Sequence, residues 1–191
     1  MIITTAFNAK FAQIGEMCVD SIKRYCAAHP QTKHAIEIIP DDYPRPASWF
    51  KVGMIARLLP EHNFVLWIYA DAMIVGGEDI EAMLAPVTLN ICKDCNGANG
   101  GIVAWRNCAQ SFEMLQRIED SYERFKDGKW FEQHAIMELL PQIDFKMQPK
   151  EILNAYPVGV ENPDANECSQ IVHFPGMSIE QRIPLMKKFA A

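Results

Sequence analysis

No run of roughly 18 consecutive apolar residues occurs in the 191-residue chain, which excludes a membrane-spanning helix of ordinary length. The opening Met1-Ile2-Ile3-Thr4-Thr5 has neither a basic segment nor a long apolar core, so it reads as a first strand rather than a secretory leader. Basic residues are scattered: 18 Lys and Arg against 24 Asp and Glu give a formal charge of −6. Without a basic cluster the chain lacks the electrostatic footprint of a nucleic-acid binder, though a small anion neutralised by a cation stays compatible. No glycine-rich stretch ends in Gly-Lys-Ser/Thr, so there is no Walker loop. Cys92 and Cys95 form a CxxC pair with no second such pair, which argues against structural zinc, and the pair does not open a helix after the first strand, as a redox motif would. Cys18 and Cys26 fall in a helical pattern with apolar neighbours and read as free thiols of a cytoplasmic protein.

Apolar residues make up 49% of the chain and charged ones 22%, the balance of an ordinary globular protein. The length suffices for one substantial core and is short for two, and no repeat or low-complexity linker divides it, so one domain over 1–191 is expected. Residues 2–7 read as a strand and 10–28 as a helix, with Phe11, Ile14, Met17, Cys18, Ile22 and Tyr25 at helical spacing. A second strand follows at 35–39. Ser48 is placed to cap a helix carrying Trp49, Val52, Ile55 and Leu59, and Pro60 ends it. The apolar run 64–69 is a buried strand. This β-α-β-α-β order predicts an α/β fold with a mostly parallel sheet flanked by helices. Beyond it the pattern predicts a short helix at 79–84, strands at 87–92 and 102–105, helices at 108–125 and 130–140, strands near 143–147 and 152–155 in a small mixed C-terminal region, and a last helix at 178–189.

Two strand ends attract chemistry. Phe64-Val65-Leu66-Trp67-Ile68-Tyr69-Ala70-Asp71 is an apolar run that delivers a carboxylate, and Gln170-Ile171-Val172-His173 is one that delivers an imidazole. A carboxylate at a strand end can hold a divalent cation, and the cation can hold phosphate oxygens; imidazole is a credible ligand for a borderline ion such as Mn2+. Ordering of the following loops would explain either residue as well. Asn96, Asn99, Gly100 and Gly101 combine close backbone approach with amides that read hydroxyl groups, or else simply make a tight hairpin turn. Glu132, Gln133 and His134 stand at a helix start, where an acidic or amide group could face a reacting sugar or acceptor, or Glu132 could offset the helix dipole. Lys51 and Arg57 lie on the second helix, able to reach phosphate, a neighbouring carboxylate or solvent.

Taken in order, Trp49-Phe50-Lys51, Leu66 to Ala72, Asn99-Gly100-Gly101-Ile102-Val103-Ala104-Trp105-Arg106-Asn107, Trp130-Phe131-Glu132-Gln133-His134-Ala135 and Ile171 to Gly176 resemble the galactosyltransferase family of fungal mannan-forming enzymes and plant xyloglucan xylosyltransferases. More broadly the chain resembles metal-dependent glycosyltransferases of the GT-A, Rossmann-like fold. The resemblance covers roughly residues 48–177. It implies transfer of a sugar, with retention, from a UDP-sugar or GDP-sugar to a glycan or other hydroxyl acceptor, with Mn2+ or Mg2+ held by Asp71 and His173. It further implies that Asn99 and Gly100 lie by the donor sugar and that Glu132 and Gln133 match an acidic-Gln pair near the reacting centre. Thr4, Thr5, Ala6 and Phe7 would line the base and ribose, with Lys51, Tyr69 and Gly176 completing the donor site. One position departs from the pattern: the first Asp of the family's Asp-x-Asp is Tyr69. A phenol does not replace a carboxylate as a ligand at neutral pH, its ordinary pKa being about 10, so weaker metal binding or loss of activity would follow. A catalytically inactive nucleotide-sugar binding module, and a different metal-dependent phosphohydrolase or nucleotidyltransferase, are the alternatives. The sequence leaves the nucleotide, sugar, acceptor and oligomeric state open.

Overall fold

The computed structural model describes residues 1–94 and 97–190. Strands β1 (Ile2–Phe7), β2 (Lys33–Ile38) and β3 (Phe64–Ile68) alternate with helices α1 (Ala12–Ala28) and α2 (Phe50–Leu58). A short strand β4 (Ala72–Ile74) and a one-turn helix α3 (Ile80–Met83) follow, then β5 (Leu89–Asp94) and β6 (Gly97–Arg106). Helices α4 (Ala109–Asp120), α5 (Tyr122–Phe125) and α6 (Phe131–Leu139) lead to β7 (Phe145–Gln148), α7 (Lys150–Leu153), β8 (Ile171–His173) and α8 (Ile179–Lys188).

Six strands form the main sheet in the order β2-β1-β3-β6-β5-β7. Three of its five pairings are parallel, as expected, and two are antiparallel, so the sheet is mixed: β2-β1-β3 and β5-β7 run parallel, while β3-β6 and β6-β5 run antiparallel. The reason is chain length. Only two residues separate β5 from β6, whereas a parallel crossover needs about a dozen or more. The small mixed region also forms: β4 pairs antiparallel with β8, and Ala155 makes a parallel bridge to Val172.

Alternation along β3 divides the core. Val65 and Trp67 pack with α2, α4 and α6 on one face, and Leu66 and Ile68 pack with α1 on the other. Trp49, Trp67 and Trp105 are among the largest fully buried side chains. Tyr69, two residues beyond Trp67, joins the α2/α6 side, and this alternation aims its ring at Lys51 and Glu132.

Several local expectations are corrected. Ser48 lies inside the single turn Ala47–Trp49 and does not cap α2, whose N-cap is Trp49 without a side-chain bond. The helix expected over 108–125 breaks at Ser121, whose hydroxyl donates to the Ile118 carbonyl. The strand expected at 152–155 is instead α7, because the Pro149 carbonyl accepts from the Ile152 and Leu153 amides and starts a helical turn. Cys95 and Asn96, where the CxxC and asparagine readings fall, lie outside the described residues; Cys92 is buried in β5.

Helix α8 begins with a complete capping box, Ser178 accepting from the Gln181 amide and the Gln181 side chain accepting from the Ser178 amide. Ser178→Ala is expected to cost about 1 kcal/mol, a fall in Tm of about 3 °C for a chain this long. Calorimetric melting of the two proteins checks it, and an unchanged Tm would show that α8 does not depend on its cap.

Candidate functional site

The site is assembled where β3 ends and β4 begins. The Tyr69 amide still donates to the Gly101 carbonyl at 3.0 Å, and the Ala72 amide then turns back to the Tyr69 carbonyl at 2.9 Å. That turn lifts Asp71 out of the sheet. Because Ala72 pairs with His173 in the β4–β8 register, and the Phe174 amide donates to the Asp71 carbonyl at 2.9 Å, the imidazole arrives beside the carboxylate. His173 Nε2 lies 3.3 Å from Asp71 Oδ1, and an Arg182 guanidinium nitrogen from α8 lies 2.8 Å from Asp71 Oδ2. Burial pushes the Asp71 carboxyl up, but the His173 ring and the Arg182 charge more than offset it and hold Asp71 below the usual carboxylate range.

Asn154 turns its carbonyl oxygen to His173 Nδ1 at 2.8 Å. An amide oxygen accepts, so Nδ1 carries a proton there, and Nε2 is the nitrogen that faces Asp71 and would ligate an ion. A ligating histidine is commonly oriented in this way. Two neighbouring ligands of an octahedral ion at about 2.1 Å are about 3 Å apart, close to the observed 3.3 Å. The pair thus fits a divalent cation as part of its donor set. No group of three or more His, Cys, Asp or Glu that could hold a metal occurs among the described residues, so the remaining positions would fall to ligand and water oxygens.

Tyr69 belongs to a different constellation. Its hydroxyl donates to Glu132 Oε1 at 2.7 Å, and Lys51 Nζ lies 2.6 Å from the same oxygen and 3.1 Å from the Tyr69 hydroxyl. Lys51 Nζ also donates to the Gly100 carbonyl at 2.7 Å, so all three ammonium protons have partners. Lys51 and Glu132 are each only 1% exposed. Burial pulls the Lys51 ammonium below its ordinary value, against the upward pull of Glu132. Burial pushes Glu132 up, and the Lys51 charge outweighs it and holds the carboxyl low. Burial, then Glu132, raises the Tyr69 phenol well above its ordinary value, so it stays protonated. This triad stands behind the site, fixing the Gly100 peptide, whose amide donates to Gln133 Oε1 at 2.9 Å. Gly101 has no room for a side chain: a Cβ there would come within 2.7 Å of His173 and 2.9 Å of Tyr69.

Two clefts meet at Tyr69 and Asp71, which line both. The larger, of about 530 Å³, is walled by Asn99, Trp130, Gln133, Tyr156 and His173, a size and an aromatic-polar mixture suited to a small molecule. The smaller opens over the end of β1 and is walled by Ala6, Phe7, Phe11, Ser48, Trp67 and Arg182. Of the residues singled out from sequence, Asp71, His173, Tyr69, Asn99, Gln133 and Gly176 meet at the larger cleft, and Ala6 and Phe7 at the smaller. Thr4 and Thr5 are fully buried in β1, Thr4 donating to the Ala35 carbonyl. Lys51 and Glu132 sit in the triad, and Gly100 lies beneath the larger cleft against Lys51 and Gln133. His134 packs its ring on Phe125, and exposed Arg57 pairs with Glu37. Sequence reasoning missed Arg182, Asn154 and Tyr156. The capping box at Ser178 marks where α8 starts, yet nothing local says which residue of that helix reaches Asp71.

No protein-family model and no curated protein matches the chain. Solved structures do. A glycosyltransferase involved in the glycosylation of the major capsid of PBCV-1 superposes with a TM-score of 0.75 at 15% identity, over 98% of this chain and 100% of that one. Galactosyltransferase LgtC, in complex with donor and acceptor sugar analogs, gives 0.66 at 12% identity over 100% of this chain and 95% of that one. The glycosyltransferase GlyE of Streptococcus pneumoniae TIGR4 gives 0.66 at 10% identity; the match takes in 99% of this chain and 59% of that one. Likeness at this identity establishes architecture, and the architecture is a GT-A-like α/β fold with a mixed sheet flanked by helices.

Proposed function

We propose that the chain is a glycosyltransferase that moves a sugar from a nucleotide diphosphate sugar to an acceptor hydroxyl. The observation that carries this reading is the meeting of two clefts at the Asp71–His173 pair. The smaller cleft, apolar and aromatic over the β1 end, suits a nucleoside; the larger, with Trp130, Tyr156, Gln133 and Asn99, suits a sugar and its acceptor. A diphosphate bridging them would pass Asp71. The likeness to LgtC, described with donor and acceptor sugar analogs, supports the same division.

Asp71 and His173 would hold a divalent ion, Mn2+ or Mg2+, which when bound would stabilise the negative charge growing on the leaving phosphate. Ala6 and Phe7 would flank the base and ribose, and Asn99 the donor sugar. Gln133, an amide, has no basic group with which to take the acceptor proton. Transfer with retention would then proceed by attack on the face that the leaving group departs from, the leaving phosphate oxygen accepting the acceptor proton. Glu132 would act at a distance, holding Tyr69 and, through Lys51, the Gly100 peptide under the donor.

Titration with UDP- and GDP-sugars by calorimetry, with Mn2+ and then with EDTA, tests the reading. One donor that binds tightly only with the ion is the expected result, and no binding of any donor in either condition overturns it. Tyr69, its phenol committed to Glu132, favours a second reading, a donor-binding module without transfer; that protein would bind the donor yet neither transfer the sugar nor hydrolyse it.

A further inference from the structure

Arg182 is the only lysine or arginine among the described residues that line the two clefts. Lys51 is buried behind Tyr69 with its three donors engaged by Glu132, Tyr69 and Gly100, and Lys150, over the Tyr156 ring, is paired with Asp164. Arg182 is held in place from one side, its Nε donating to the Phe174 carbonyl at 2.8 Å, while one terminal nitrogen meets Asp71 Oδ2 at 2.8 Å. A guanidinium has five N–H donors, and among the described residues only these two contacts engage them. Its side chain is 12% exposed, at the wall of the smaller cleft and on the carboxylate where the clefts join.

A nucleotide diphosphate brings several negative charges to a chain whose net charge is −6. Resting on the reading above, we propose that Arg182 is the protein's own cation for the donor diphosphate, and that in the ligand-free protein it is parked on Asp71, where it competes with the divalent ion. Planar guanidinium suits phosphate oxygens as well as it suits carboxylate. When ion and donor arrive together, the ion takes over the charge of Asp71 and Arg182 turns its donors to the phosphate. When the ion arrives alone, it meets a carboxylate already neutralised by a like charge. Ion and nucleotide therefore bind cooperatively, with a coupling that depends on Arg182.

The proposal predicts effects of opposite sign from one substitution. Arg182→Gln keeps an amide able to donate to the Phe174 carbonyl but removes the charge. Mn2+ alone, followed by electron paramagnetic resonance, is expected to bind the variant about three- to tenfold more tightly than the wild type. UDP and GDP, titrated calorimetrically at saturating Mn2+, are expected to show for whichever nucleotide binds the wild type a loss of about tenfold or more, the scale of one charge-assisted hydrogen bond. Arg182→Lys, which keeps the charge and loses the fork, is expected to match the wild type for Mn2+ within about twofold and to lose less nucleotide affinity than the Gln variant. Weakening of both ligands by Arg182→Gln would show that Arg182 only anchors α8, and would overturn the proposal. If the wild type bound Mn2+ but neither nucleotide, the glycosyltransferase reading would fall while the Mn2+ comparison still decided whether Arg182 competes for Asp71. Binding of neither Mn2+ nor nucleotide by the wild type overturns both.

Discussion

Lys51→Met is expected to lower the stability of the protein by about 3–5 kcal/mol, the scale of leaving one partner of a buried ion pair alone. For a chain of this length that is a fall in Tm of about 10 °C. The size follows from what remains. Glu132 is 1% exposed, and without the ammonium its carboxylate keeps the hydrogen bond from Tyr69 but loses its counter-charge. The Gly100 carbonyl loses its Lys51 donor in the same step. The double variant Lys51→Met/Glu132→Gln removes the stranded charge as well, and is expected to recover more than half of the loss. Urea melts of the four proteins give the coupling between the two positions; a single-variant loss under about 1 kcal/mol would show that the pair is not ionised in the folded state. The pH dependence has a definite sign. In the wild type Lys51 holds the Glu132 carboxyl low, so this contribution is present above the ordinary glutamate range and is lost as pH falls through the lowered folded value. In the variant Glu132 protonates at higher pH, so the deficit is greatest near neutrality and shrinks in acid.

The same triad shows what a sequence can and cannot disclose. Each member attracts notice singly: Lys51 as a cation on a helix, Tyr69 as a departure from a carboxylate, Glu132 as an acid at a helix start. That they meet depends on three elements, α2, β3 and α6, packed on one face of the sheet. No local pattern encodes that. Asp71 and His173 stood out in the sequence because each follows a short apolar run rich in β-formers, the pattern of a buried strand. Their meeting was not legible, since it rests on the register between β4 and β8, each only three residues long and far apart in the chain. The main helices were legible from their periodicity. The start of β6 was concealed, because the glycine-rich segment before residue 102 reads as a hairpin turn or a ligand-binding loop, whereas β6 begins at Gly97 and Ala98 to Gly101 are buried in it. Arg182 was invisible because its role lies in helix orientation. Gly176 at φ +71° and the capping box at Ser178 set how α8 leaves β8, and only then does one arginine face the strand end.

Asp71→Asn is expected to reduce the affinity for a nucleotide diphosphate sugar in the presence of Mn2+ by about a hundredfold, close to 2.8 kcal/mol, and to leave the residual binding insensitive to EDTA. An amide keeps the shape and one acceptor oxygen, so the Arg182 contact weakens without losing its place; the Phe174 bond to the Asp71 carbonyl uses backbone and is untouched. The fold should therefore survive with a fall in Tm of only a few degrees, and a cooperative melt identifies that case. What goes is the negative charge on the ligand that would face the ion. Because the Asp71 carboxyl is held below its usual range, it is ionised in the wild type at neutral pH, where the two proteins are compared. For Mn2+ alone the two site variants should diverge, Asp71→Asn binding the ion more weakly than wild type and Arg182→Gln more tightly. Divergence places the carboxylate on the ion and the guanidinium in competition with it. If Asp71→Asn instead kept both its Mn2+ dependence and its donor affinity, the ion would have to be held elsewhere, and the β4–β8 junction would be an ordinary structural ion pair.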